Sequence, residues 1–266
     1  MLLTACTAAA QAGATYIRSR TADLATIDWQ EKARADFVSE VDLGAEERIT
    51  NVLHAAVPGA VVVGEERSPG LAPNDHEIAF IVDPLDGTTN FLHGYPQYAV
   101  SIAAVAEGGL VAGIVLDVPR GITYAATRGG GATRDGTPIR VSRLVEPARA
   151  LVGTGFPFKD PQRIPEYLPS FSRVVGQVAG VRRAGAAALD LADVAAGRFD
   201  GFWELMLAPW DHAAGTLLIR EAGGRVSDLA GNELRVEHTP VVASNGVLHE
   251  WLLAQLRPSA PFTIPS

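Results

Sequence analysis

Cysteine is almost absent. Cys6 is the only one in 266 residues, which excludes an intramolecular disulfide and a thiolate metal cluster and fits a reducing cytoplasm. No run of lysine or arginine occurs and the formal net charge is -8, so no nucleic-acid partner held through phosphate contacts is expected. No apolar run approaches the roughly 18 residues of a membrane span, so no membrane is expected either. The start, Met-Leu-Leu-Thr-Ala-Cys6, superficially resembles a lipoprotein cleavage site but lacks a basic n-region and a useful apolar stretch. It reads instead as the approach to an alanine-rich helix over Thr4 to Arg18, whose basic last turn suits the helix dipole. Internal repeats and low-complexity segments are missing too.

What is present is ample apolar material. Hydrophobic residues make up 47% of the chain, enough for one large domain or two closely joined ones. Residues 23–35 are polar and unpatterned and read as a mobile loop containing Lys32. A helix follows from Leu43, with Leu43, Ile49, Val52 and Leu53 as its stripe and Asp42 where an N-cap belongs. Ala60 to Val63 is a β-branched strand that stops at Gly64-Glu65-Glu66, and taken alone that pair of acids is a solvated turn. Ile78 to Val82 is a short buried strand. Tyr98 to Val105 and Leu110 to Leu116 form a hairpin through Glu107-Gly-Gly109, and Ile122 to Ala126 continues the meander. The run Arg128-Gly-Gly-Gly has no Gly-Lys-Ser/Thr ending and no strand-to-helix context, so it reads as a hairpin corner and not a nucleotide loop.

From about Ala148 the rhythm alternates. Strands are expected at 151–153, 178–182, 201–204, 225–227 and 241–244, and helices at 163–175, 186–196, 211–221 and 247–256. Residues 1–147 thus read as an α+β part and 148–266 as an α/β part.

The chemistry lies in the acids. Asp83 and Asp86 follow the buried strand in Ile81-Val-Asp-Pro-Leu-Asp-Gly-Thr-Thr-Asn-Phe91, and an ionised carboxylate there must be paired or hold a metal. Gly87 lets the backbone turn, and Thr88, Thr89 and Asn90 leave N–H groups free for an anion. Asp42, Glu65, Asp83, Asp86 and Asp211 all fall at strand ends or helix starts, and oxygen donors of this kind suit a hard cation such as magnesium. A competing pattern is Asp-x-Asp-Gly-Thr, in which the first aspartate is a phosphoryl acceptor. Asp83-Pro-Leu-Asp-Gly-Thr88 is one residue too long for it, and in a strand one residue turns a side chain to the opposite face.

Gly64-Glu-Glu66, Ile81 to Phe91 and Ala208-Pro-Trp-Asp-His-Ala-Ala-Gly215 together resemble the inositol monophosphatase family, with Asp36 to Asp42 and Gly185 to Asp190 similar to its flanking motifs. The resemblance covers nearly the whole chain in order. It implies a layered αβαβα sandwich of the sugar-phosphatase type, classed as α+β and α/β, and an enzyme that hydrolyses inositol 1-phosphate or a related polyol monophosphate. It implies two or three magnesium ions. Glu65, Asp83 and the Leu85 carbonyl would hold the first, Asp83, Asp86 and Asp211 the second, with a third near Glu65. Thr88, backed by Asp42, would orient and help deprotonate the attacking water, with Glu65 also in the catalytic group. Gly87 and Thr88 would seat the phosphate. Gly185, Ala187 and Glu204, with Asp86 and Asp211, would surround the rest of the substrate.

The resemblance further implies a homodimer and inhibition by lithium. Histidinol phosphate, fructose 1,6-bisphosphate and NADP are alternative substrates, and a regulatory binding protein that kept the fold is an alternative of another class. His212 departs from the family's aliphatic residue and reads as packing or supporting a ligand; His93 reads as a loop-packing histidine.

Overall fold

The computed structural model describes residues 1–257. Its first half contains α1 (Leu2–Arg20), β1 (Trp29–Ala33), β2 (Asp36–Ser39), α2 (Glu40–Ala56), β3 (Val61–Gly64), β4 (Ile78–Asp86), α3 (Thr88–Leu92), β5 (Ala99–Ala106), β6 (Gly109–Asp117), β7 (Ile122–Thr127), β8 (Gly131–Arg134) and β9 (Thr137–Pro138). The second contains β10 (Leu151–Thr154), α4 (Ile164–Val175), β11 (Gly180–Arg182), α5 (Ala187–Ala195), β12 (Gly201–Leu207), α6 (Pro209–Glu221), β13 (Arg225–Ser227), β14 (Thr239–Ser244) and α7 (His249–Leu256).

Strands β3 to β9 form a seven-stranded sheet in sequential order, antiparallel except for the parallel pair β3–β4. The other large sheet is mixed and five-stranded, in the order β11-β10-β12-β14-β13. In the inner strands of both large sheets, alternating side chains enter two different cores. Phe80, Val82, Val100 and Ile102 face α1 and α2, whereas Ala79, Ile81, Ala99 and Ala103 face α5 and α6. In β12, Phe202 joins the central core and Trp203 the outer one beneath α4 and α7. Each fully buried aliphatic or phenyl side chain contributes about 1.5–3 kcal/mol. The result is five layers, helices–sheet–helices–sheet–helices, and β4 is a continuous apolar run because both its faces are covered.

Three expectations need correction. Residues 23–35 are not a featureless loop: a 3-10 turn over Thr21–Thr26 leads into the antiparallel hairpin β1–β2. The N-cap of α2 is Ser39, not Asp42. Ser39 Oγ accepts from the Val41 N–H at 3.1 Å and the Asp42 carboxylate accepts from the Ser39 N–H at 2.8 Å, a reciprocal capping box. Strand β4 does not stop at Val82 but runs through Pro84 to Asp86, with a one-residue shift in its pairing to β5 between Asp83 and Asp86. Proline cannot donate to the ladder, and a bulge accommodates it.

Candidate active site

The bulge decides where the two aspartates point. Asp83 follows Ile81 by two residues and so faces the central helical layer, and the extra residue at Pro84–Leu85 returns Asp86 to that same face. Leu85 goes to the opposite core. Asp86 then meets the N-terminus of α5, accepting from the Ala187 N–H at 3.2 Å and the Ala188 N–H at 2.8 Å. It satisfies donors that α5 would otherwise leave unpaired. Asp83 Oδ1 accepts from the Leu85 N–H at 3.0 Å.

Asp211 comes from the second half, at the third position of α6, where its carboxylate accepts from the Ala208 N–H at 2.7 Å. Ser101, paired with Asp83 across β4–β5, donates to the Trp210 carbonyl at 3.1 Å and ties the start of α6 to the first sheet. Burial, reinforced by Glu65, Asp86 and Asp211, pushes Asp83 well above the carboxylate range. Asp86 is raised by burial and by Asp211, and Asp211 by burial and by Glu65. Among the described residues no lysine, arginine or histidine stands within ion-pair distance of Asp83, Asp86 or Asp211. Glu65 is different: Lys32 on the hairpin reaches it at 3.5 Å and bonds Glu66 at 2.9 Å.

Gly87 follows with φ +94°, in the left-handed region; a Cβ there would stand 2.9 Å from the Gln97 carbonyl oxygen. This turn sets Thr88 at the start of α3, where its hydroxyl lies 2.7 Å from Asp42 Oδ1 and 3.1 Å from the Leu85 carbonyl. Asp42 is 1% exposed. Burial raises it to about 6, against the lowering effect of the Ser39 and Thr88 hydrogen bonds. Glu204 on β12 is raised by burial and by Asp211 to about 8, with Arg183 opposing. Gly185 closes the loop before α5, held by Asn90 Nδ2, which donates to the carbonyls of Ala184 at 3.0 Å and Gly185 at 3.2 Å.

Buried carboxylates without basic partners, and with oxygen donors alone, have the composition a hard divalent cation requires. Among the described residues no three acidic, histidine or cysteine side chains already form a metal-holding group by themselves.

Several supporting residues escaped the sequence reading. Glu46 is buried one helical turn after Asp42, and its oxygens accept from the Glu66 and Arg67 N–H groups at 2.9 and 3.0 Å, holding the Glu65 loop. The i, i+4 spacing from Asp42 was its signal. Ser39-x-x-Asp42 also spelled a capping box. The Arg128-Gly-Gly-Gly corner is confirmed as a hairpin between β7 and β8, its Gly129 and Gly131 N–H groups both donating to the Glu221 carboxylate at 2.8 Å. His212 is buried with Nε2 donating to the Glu237 carbonyl at 3.0 Å, and burial lowers it to about 4, so it is a neutral packing residue. His93 is exposed and bonded to the Thr89 carbonyl of its own turn.

A five-layer sandwich whose buried acids gather at the seam of its two sheets is the architecture of the sugar-phosphatase class. A model of the inositol monophosphatase family matches residues 1–260. The chain is 46% identical to a Nus factor SuhB of Pseudomonas aeruginosa, over 98% of this chain and 97% of that relative. It is 44% identical to an inositol-1-monophosphatase of Mesorhizobium japonicum, over 85% of each. Among solved structures it resembles the extragenic suppressor protein suhB from Bartonella henselae, with a TM-score of 0.92 at 37% identity over 97% and 99% of the two chains. The inositol monophosphatase from Anabaena gives 0.84 at 33%, over 96% and 94%. The chain belongs to the inositol monophosphatase family.

Proposed function

We propose that the protein is a magnesium-dependent phosphomonoesterase acting on inositol 1-phosphate or a related polyol or sugar monophosphate. The observation that carries this reading is the meeting of the buried Asp83 and Asp86 with the half-buried Asp211 from the other sheet's side, none of them with a basic partner at ion-pair distance among the described residues, beside the Gly87–Thr88 turn. Glu65, Asp83, Asp86, Asp211 and the Leu85 carbonyl are the residues that would hold the ions. When bound, magnesium polarises the phosphoryl group and lowers the pKa of water.

The remaining work falls to the chain. The Gly87 and Thr88 N–H groups seat the phosphate and orient it for in-line attack. The Thr88 hydroxyl donates to Asp42, so its oxygen presents a lone pair to the attacking water. As the water oxygen bonds to phosphorus, its proton passes to Thr88 Oγ1 and the threonine proton to Asp42. A carboxyl group at about 6 is matched to receiving that proton near neutrality. The phosphorus–oxygen bond to the alcohol breaks and the alkoxide leaves, to be protonated by solvent. Gly185, Ala187 and Glu204 surround the polyol, and a pocket that reads only polyol shape discriminates weakly among similar sugars.

A phosphate-release assay over a panel of polyol and sugar monophosphates, with and without magnesium, tests reaction, cofactor and substrate together. No release from any member refutes the proposal. Because some relatives are named Nus factor SuhB, a role as a factor independent of hydrolysis is a second reading. Asp211→Asn separates the two: turnover is lost, while a binding role survives.

A further inference from the structure

Segment 184–188 belongs to the second half of the chain, yet it is gripped by residues 86–90 of the first. Asp86 accepts from the Ala187 and Ala188 N–H groups. Asn90, four residues on, works with the opposite sign. Its Nδ2 donates to the Ala184 carbonyl at 3.0 Å, the Gly185 carbonyl at 3.2 Å and the Gln97 carbonyl at 2.7 Å. Carbonyl oxygens only accept, so the amide nitrogen and not the amide oxygen must face all three. Both its hydrogens are committed to the backbone on the two sides of this junction, and none remains for a ligand.

The two glycines at the junction show how close the fit is. Gly185 has φ +89°, and a Cβ there would stand 3.1 Å from Asn90 Nδ2. A Cβ on Gly87 would meet the Gln97 carbonyl oxygen at 2.9 Å and the Gly185 carbonyl oxygen at 3.3 Å. Two of the carbonyls that Asn90 gathers, those of Gln97 and Gly185, are thus the ones that back the Gly87 turn. That turn seats the phosphate in the proposed reaction, and segment 184–188 carries Gly185 and Ala187 of the polyol pocket. Asp86 also stands among the proposed ion ligands, whereas the Asn90 amide holds the segment independently of them.

On the phosphatase reading above, we infer that Asn90 is a positioning residue that fixes the polyol pocket against the phosphate seat, so that it governs recognition of the alcohol and not cleavage of the ester. An ester whose alcohol carries hydroxyls must fit seat and pocket at once, and a misplacement of about 1 Å between them costs about a hundredfold. An ester whose alcohol makes no hydroxyl contacts needs the seat alone.

The test measures phosphate release, with magnesium, from inositol 1-phosphate and from p-nitrophenyl phosphate, whose alcohol has no further hydroxyl to place. Asn90→Ala removes the donor and leaves every backbone N–H of the turn in place. It is expected to lower kcat/KM for inositol 1-phosphate about tenfold to a hundredfold, while kcat/KM for p-nitrophenyl phosphate and inhibition by inorganic phosphate change less than about twofold. Asn90→Asp, which sets an acceptor against three acceptors, gives the larger loss. Asn90→Ser, with one donor on a shorter arm, gives the smaller and guards against an alanine variant that does not fold. Equal losses on both esters overturn the assignment, because a weakened fold or seat would act on both; so does an unchanged kcat/KM for inositol 1-phosphate. If the wild-type protein releases phosphate from neither ester, the phosphatase reading fails separately. Hydrogen exchange then still decides the brace. Amides of residues 184–188 should exchange about threefold to tenfold faster in Asn90→Ala than in wild type, the worth of a hydrogen bond, and unchanged exchange there overturns it.

Discussion

Thr88→Val is the substitution that isolates the proposed proton relay, because valine keeps the shape of threonine and removes only the hydroxyl donor. In the folded protein Asp42 is 1% exposed, with one oxygen bonded to Ser39 and the other to Thr88 at 2.7 Å. The variant strands that second oxygen in a dry place, a loss of about 1–3 kcal/mol in stability. Turnover falls by about a hundredfold to ten-thousandfold, the usual worth of a positioned proton acceptor. The two effects differ in pH dependence. Burial has already raised Asp42 to about 6, so the folded state binds a proton that the unfolded state has lost. Its contribution to stability therefore falls as pH rises from about 4 to 6. Removing Thr88 takes away one of the hydrogen bonds that hold the value down, so the window extends to higher pH. Urea unfolding of both proteins at pH 5 and pH 7.5 should show a stability gap that is wider at the higher pH. Phosphate release measured in parallel gives the catalytic loss. A variant as stable as wild type at pH 7.5, or one with turnover reduced only a few-fold, refutes the relay.

The other predictions concern Asp86 and the ions. Asp86→Ala leaves the Ala187 and Ala188 N–H groups at the start of α5 without an acceptor, and thermal melting should show a loss of about 0.5–2 kcal/mol even with magnesium absent. Asp86→Asn retains an acceptor, so it should recover most of that stability and yet lose turnover; equal melting of the two variants would show that the cap is not what Asp86 contributes. Asp83, Asp86 and Asp211 all have carboxyl groups raised by burial and by neighbouring acids. The metal-free folded protein holds more protons than the unfolded chain above about pH 4, so its stability declines as pH rises. Magnesium at a fixed concentration, about a hundred times its Kd at pH 6, should add about 2.7 kcal/mol there, with a Tm gain in scanning calorimetry that is larger at pH 8, where the acids bind the ion more tightly. A gain that shrinks with rising pH would show that these acids are not the ligands.

The helices and strands with alternating or 3.6-residue patterns were legible because their faces are buried, as in Phe202 and Trp203, which enter different cores. The hairpin β1–β2 was not, for a physical reason. Every residue of β1 is exposed, so no alternation is imposed on it. Its turn uses Ala35 at φ +54°, stabilised by the Ala35 N–H donating to Glu31, without the glycine or asparagine that marks such turns. The candidate site residues in Ile81 to Phe91 are proposed from the motif, but the residues that support them could not be read from it. Glu46, Asn90 and Ser101 act through backbone groups of segments 20, 94–95 and 109 residues away, and an individual polar side chain gives no sign of such a partner.

Spacing excludes an aspartyl-phosphate route only if the three-residue step from Asp83 to Asp86 turns the second side chain to the other face. The bulge at Pro84–Leu85 cancels that turn, and both carboxylates face α5 and α6. Geometry on the strand therefore permits a nucleophilic Asp83, and the case for direct attack by water rests on Thr88 and Asp42. A carboxylate nucleophile has no proton to lose in the first step, which would leave the Thr88–Asp42 pair idle there; a water nucleophile needs that acceptor at once. The stereochemistry at phosphorus separates the routes. Hydrolysis of a substrate with a chiral, isotopically labelled phosphate should proceed with inversion, the outcome of one in-line displacement. Retention would mean two displacements through a phosphorylated aspartate, and would move Asp83 from ligand to nucleophile.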